Sequence, residues 1–161
     1  EVRPVGADRL FVVTQIPLGP ALLVKVLPAA TSLAIDGQQF ERQLLLLADR
    51  LRHPNLVPPK GGGRAGSFIF HARPFVDGTT LRAWIGNNGA LTLTRAVDVL
   101  RAVLNGLAHA HNAGVAHGDL RAEHVLLGDA GAVALAHPDD VAGAIRAARI
   151  EAVARRGSSR P

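Results

Sequence analysis

The sequence predicts an α+β fold: a small antiparallel β-sheet carrying one helix, followed by a mainly helical part that contains a short hairpin. Three observations support this. Apolar runs at 10–13 and 21–27 are split by Pro17, Gly19 and Pro20, the spacing of a hairpin or meander. Phe40, Leu44, Leu47 and Leu51 recur at helical intervals, so one face of a helix over 38–51 is apolar. Beyond residue 80 the apolar pattern becomes predominantly helical.

The elements follow in order. A break is expected over 28–32, and His53-Pro54 ends the first helix, because proline disfavours helical geometry at the residue before it. Leu56-Val57 and 67–70 read as two further strands joined by a flexible glycine-rich turn over 61–66. A polar link at 77–80 leads to a brief helix over 81–85, and Thr92 is placed to cap a long one. In that helix Val97, Leu100, Leu104, Leu107 and His111 fall at steps of three or four, which predicts that this face lies in the core. Gly114 supplies the left-handed residue that closes it. The runs 125–127 and 133–136, split by glycines between 128 and 131, read as a second hairpin, and 141–156 as a basic amphipathic helix with Val141, Ile145, Ala148 and Ala152 on one side. This divides the chain into 1–78, 79–141 and a tail, 142–161.

Composition narrows the function classes. Hydrophobic residues make up 48% and charged ones 19%, the balance of a folded domain rather than a disordered tail. The absence of cysteine excludes disulfides, thiolate chemistry and Cys-type zinc sites. No run approaches the roughly 20 apolar residues needed to span a bilayer, and the N-terminus lacks the basic-then-apolar order of a signal peptide. A cytoplasmic domain is the expectation. The net charge of +5 rests on 16 arginines and two lysines, and five of those arginines lie between 146 and 160. No aromatics alternate with them to offer stacking platforms, so a nucleic-acid partner is not expected and the arginines read as a solvated face.

Lys25 lies in Leu22-Leu23-Val24-Lys25-Val26, a lysine flanked by apolar residues on a strand. It is either a surface residue or a phosphate ligand. After the long helix comes His117-Gly118-Asp119-Leu120-Arg121-Ala122-Glu123-His124, followed by Val125-Leu126-Leu127. Phe40-Glu41-Arg42-Gln43-Leu44, then His53-Pro54-Asn55-Leu56-Val57, and Arg73-Pro74-Phe75-Val76-Asp77-Gly78 lie between, and Lys25 and Asp119 are 94 residues apart. This ordered set, over about 10–141, resembles a bacterial-type serine/threonine protein kinase domain that is truncated and degenerate. The resemblance implies a small sheet-and-helix lobe and a partial helical lobe. It also implies ATP and magnesium as cofactors, and a protein as partner or substrate.

Carried over residue by residue, the resemblance makes Lys25 the phosphate-positioning lysine and Asp119 the base that accepts the substrate hydroxyl proton. Val24, Lys25, Gln43, Arg73, Phe75, His124 and Leu126 fall at nucleotide-site positions. The sequence departs from the pattern at several of its parts. Gln43 stands where helix C carries a glutamate, and amide cannot supply the opposite charge to a lysine. His124 stands at the metal-holding asparagine, and His137 at the metal-binding aspartate, with Asp139 and Asp140 as displaced candidates. The glycine-rich loop, expected between Arg9 and Leu22, is reduced to Gly19. Two functions follow from this pattern. One is a pseudokinase-like signalling module with a nucleotide cleft, and the alternative is an active serine/threonine kinase. A third, an arginine-driven nucleic-acid-binding domain, rests on the tail alone. His109, His111, His117, His124 and His137 do not form a metal set by spacing, since His109 and His111, two apart, diverge around a helix. A long apolar helix without the cover of further helices would expose an apolar patch, so either the terminal helix folds back over it, or a partner does, or the chain is a fragment.

Overall fold

The computed structural model describes residues 2–4, 10–14 and 20–136. In chain order the elements are β1 (Val2–Pro4), β2 (Leu10–Thr14), β3 (Ala21–Val26), α1 (Ala29–Leu33), α2 (Gly37–Arg50), β4 (Leu56–Val57), β5 (Gly61–Ala65) and β6 (Phe68–Pro74). They continue as β7 (Gly78–Thr80), α3 (Leu81–Asn88), α4 (Leu93–Asn112), β8 (Val125–Gly128) and β9 (Val133–Ala136). Among the described residues, one compact unit comprises those up to Asp49 with Pro59–Phe75, and a second comprises Arg50–Pro58 with those from Val76 onward.

The first unit is a five-stranded antiparallel sheet in the order β1-β2-β3-β6-β5. β2 and β3 are the expected hairpin strands, and β1 adds a strand the apolar pattern did not mark. Strand alternation puts Leu23, Lys25, Ile69, His71 and Arg73 on one face, since Leu23 opposes Arg73 and Lys25 opposes His71. Ile69 on that face packs with Phe40 and Leu44 of α2 and with Leu27 and Ile35, so α2 covers it. Phe40 and Leu44, two of the predicted apolar-face residues, are fully buried. The Asp36 carboxylate accepts from the Gln39 amide at 3.0 Å and caps α2.

Two expectations fail in this unit. The break over 28–32 holds a helical turn, α1, whose Ser32 side chain is completely buried. Ser32 Oγ accepts from the Ile69 amide at 2.9 Å and donates to the Leu27 carbonyl at 3.3 Å, tying the ends of β3 and β6 together. The glycines at 61–63, expected in a flexible turn, form strand β5 instead. A Cβ on Gly62 would lie 2.5 Å from Phe70 O, 2.6 Å from Leu44 Cδ1 and 2.9 Å from His71 Cα. Glycine is present because helix and strand approach too closely for a side chain, not because the backbone turns.

The second unit carries a four-stranded sheet in the order β4-β9-β8-β7. β8 and β9 form the expected hairpin. β4 is not joined to the 67–70 strand as expected. It pairs in parallel with β9, where the Asn55 carbonyl accepts from Leu135 N at 2.8 Å and Asn55 Nδ2 donates to Val133 O at 2.8 Å. Thr80 and Thr92 cap α3 and α4 by accepting from Ala83 N and Arg95 N. After Ala113 the chain reverses at Gly114, with φ +75, as expected.

The predicted core face of α4 is corrected. Val99, Val103, Gly106 and Ala110 are the buried stripe; of the predicted face Leu107 packs against the core, while Val97, Leu100 and Leu104 are exposed, Leu100 at 57%. The helix carries two apolar stripes, and the one with smaller residues lies closest to the sheet. A Cβ on Gly106 would sit 2.9 Å from Asn55 O. Val99 and Val103 pack with Val125, Leu127, Val133 and Leu135. Leu100 and Leu120 line an apolar groove of about 360 Å³ together with Leu81, Leu91 and Val103. Among the described residues no helix is long and apolar enough to cross a membrane.

Candidate functional site

The residues singled out from sequence divide between the two units. In the first, Lys25 is a half-buried residue of β3 on the face covered by α2. Val24, its neighbour, is turned to the opposite face by strand alternation, so the two do not come together and Leu23 takes the place beside Lys25. Arg73 opposes Leu23 and shares the Lys25 face. Phe75 follows β6, donates its amide to Ala21 O at 2.9 Å and stays 38% exposed. Gln43 is half-buried on α2, one residue before the buried Leu44. Among the described residues no carboxylate forms an ion pair with Lys25.

Sequence reasoning missed His71. It is buried, opposes Lys25 in register, and its Nδ1 has no hydrogen-bond partner. Burial, and then the positive fields of Lys25 and Arg73, lower its pKa from 6.5 to about 4. The imidazole is therefore neutral at pH 7. The period-two alternation of Ile69, His71 and Arg73 is the signal that places it on the inward face.

In the second unit Asp119 lies between α4 and β8. Gly118, with φ +78, adopts the left-handed geometry that turns the chain between His117 and Asp119. His117 is buried, with Nε2 3.3 Å from Ala136 O. Arg121 Nη2 donates to Asp119 Oδ2 at 2.5 Å, a pairing that sequence reasoning did not anticipate. His124 closes a 3-10 turn over Ala122–His124, and its Nδ1–H donates to the Asp119 carbonyl at 2.8 Å. Leu126 alternates with the core residues Val125 and Leu127 and so faces away from α4.

His137, Asp139 and Asp140 lie outside the described residues. Among the described residues no group of three or more histidine and carboxylate side chains is placed to hold a metal ion. Magnesium prefers oxygen ligands, whereas His124 offers an imidazole whose Nδ1 is already committed to a carbonyl. Among the described candidates, His124 does not fit a magnesium site. His109 has a structural role: Nε2 is 3.0 Å from Arg50 O, and the ring stacks on His53 at 5.0 Å.

No family model matches the chain. Among curated proteins it is 33% identical over 95 residues to a probable serine/threonine-protein kinase, PknB, of Lactococcus lactis, a match covering 59% of this chain and 15% of that protein. It is 31% identical over 126 residues to serine/threonine-protein kinase pkn3 of Myxococcus xanthus, covering 76% of this chain and 22% of the other. The PknI kinase domain of Mycobacterium tuberculosis superposes with a TM-score of 0.69 at 23% identity, over 88% of this chain and 58% of that one. The chain is a protein-kinase-like domain. Both of these curated relatives carry the names of bacterial serine/threonine kinases, one of them as probable, and this kinase-like chain spans less than a quarter of either one's length. On this kinase-like frame β3 carries Lys25, α2 carries Gln43, and the loop before β8 carries Asp119.

Proposed function

We propose that this domain is a degenerate, pseudokinase-like module that holds a nucleotide through Lys25 and signals by binding another protein, without transferring phosphate. The observation that carries this reading is the state of the Asp119 loop. A base must be available to a substrate hydroxyl, and Asp119 Oδ2 already accepts a hydrogen bond from Arg121, a solvent-screened competitor for that proton. Phosphoryl transfer also relies on metal ions to neutralise developing charge, and His124 replaces an oxygen ligand with a committed nitrogen. Lys25, without a carboxylate partner among the described residues, keeps its charge for a phosphate. A cytoplasmic setting and a protein partner belong to this reading.

The alternative, an active serine/threonine kinase, draws on the retention of both Lys25 and Asp119. The purified protein with magnesium and γ-labelled ATP separates the two. ATP binding without label transfer, lost in Lys25→Ala, is the expected result. Label transfer that disappears in Asp119→Asn overturns the proposal.

A further inference from the structure

Lys25 and His71 oppose each other across β3 and β6 on one face of the sheet. Directly opposed residues of an antiparallel pair have Cβ atoms roughly 4.5–5.5 Å apart, so a lysine side chain easily reaches the imidazole. His71 is 6% exposed and its Nδ1 is buried without a partner. Buried polar atoms are normally satisfied, and burial keeps bulk water from this one. No side chain bonds it in the rotamers of the structure, and Lys25, opposite it in register, can reach it by a change of rotamer. The ring is neutral at pH 7, held so by burial and by the fields of Lys25 and Arg73. With its proton on Nε2, a neutral ring offers a lone pair at Nδ1.

The other polar groups nearby do not replace Lys25 in this role. Glu41 of α2 lies over β5, with Oε2 4.0 Å from where a Cβ on Gly63 would be, and as a carboxylate it has no proton to donate to Nδ1. Gly62, opposite His71, has no side chain at all. Arg73 lies two residues along the same strand, whereas Lys25 is the direct cross-strand neighbour.

We propose that His71 is a positioning residue for Lys25: its Nδ1 accepts a hydrogen bond from the lysine ammonium and holds it over the sheet face, where the kinase resemblance expects a carboxylate at Gln43. A carboxylate would cancel the lysine charge, whereas a neutral imidazole orients the ammonium and leaves the charge intact for an anion. That the anion is a nucleotide phosphate rests on the function proposed above. The contact between His71 and Lys25 does not.

The chain has two lysines, Lys25 and Lys60, so protein labelled at lysine Cε and at the histidine ring nitrogens gives a readable NMR spectrum, with Lys60→Arg assigning the lysine signals. The expected result at pH 7 is a His71 ring protonated on Nε2, together with a Lys25 signal that moves in His71→Leu. In His71→Asn, whose side-chain oxygen takes the place of Nδ1, the signal returns toward that of the unmutated protein. A His71 ring protonated on Nδ1, or a Lys25 signal unmoved in folded His71→Leu, overturns the contact. If His71→Leu does not fold, the ring tautomer and the Asn variant decide. In a parallel titration with ATP, affinity is expected to fall about tenfold in His71→Leu and less than about threefold in His71→Asn. Equal ATP affinity in all three proteins overturns the positioning role. Absence of ATP binding to the unmutated protein sinks the nucleotide reading, while the NMR result still decides the contact.

Discussion

Arg121 and Asp119, two residues apart in the loop before β8, form a charge-assisted hydrogen bond of 2.5 Å between Nη2 and Oδ2. Their side chains are 61% and 35% exposed, so solvent screens the pair and its net worth is at most about 1 kcal/mol. Arg121→Ala is therefore expected to leave the free energy of urea unfolding within about 1 kcal/mol of the unmutated protein. On the proposed function, which sets His124 at the place of an oxygen ligand, it is also expected not to confer phosphate transfer from labelled ATP. Transfer appearing in Arg121→Ala shows that the ion pair alone restrains Asp119.

Gly62 and Gly61 are adjacent in β5 yet meet different surroundings. A Cβ on Gly62 collides with Phe70 O and Leu44 Cδ1, whereas one on Gly61 meets nothing within 4 Å. Gly62→Ala is expected to lose about 1–3 kcal/mol by overpacking. Gly61→Ala should be neutral or gain a few tenths of a kcal/mol by restricting the unfolded chain. Chemical denaturation of the two variants checks the contrast. Equal effects would place the strain elsewhere.

The buried, neutral His71 makes stability depend on pH. Its pKa in the folded protein is about 4 against 6.5 for a free ring, so between those values the unfolded chain binds a proton that the folded protein refuses. The contribution is fully present above pH 6.5 and is lost as pH falls toward 4. The total is about 3 kcal/mol for this one group. Urea midpoints measured from pH 7.5 to 4.5 in His71→Asn should show a shallower decline than in the unmutated protein.

Ser32 anchors the ends of β3 and β6 from α1. Ser32→Ala leaves the Ile69 amide and the Leu27 carbonyl without the hydroxyl that serves both. The expected loss is about 1–3 kcal/mol, the cost of unsatisfied buried groups, read from thermal or urea unfolding. A loss below about 0.5 kcal/mol would mean that water or a shifted backbone replaces the hydroxyl.

Much of the architecture was legible in the chain. The β2–β3 and β8–β9 hairpins, α2 with its buried Phe40 and Leu44, and the end of α4 at Gly114 follow from local patterns of two, three and four residues. The kinase likeness followed from motifs in order. Three features did not follow. Glycines at 61–63 signal a turn and a crowded strand equally well, and only the approach of Leu44 to Gly62 distinguishes them. Leu56 pairs with Leu135, 79 residues away, a partner no local pattern names. On α4 both stripes are apolar, and larger side chains at Leu100 and Leu104 drew the prediction to the wrong one.

The candidate site divides in the same way. The identities of Lys25, Asp119, Gln43 and His124 and their order along the chain are local facts, and the sequence alone determined them; their roles belong to the proposed function. The tertiary structure decided what those residues meet. Strand register set His71 against Lys25, and the turn at Gly118 and the 3-10 turn beyond it brought Arg121 onto the Asp119 carboxylate and His124 onto its carbonyl. The physical reason is that identity and periodicity are local, whereas charge pairing and burial depend on which strands lie side by side and how a loop closes.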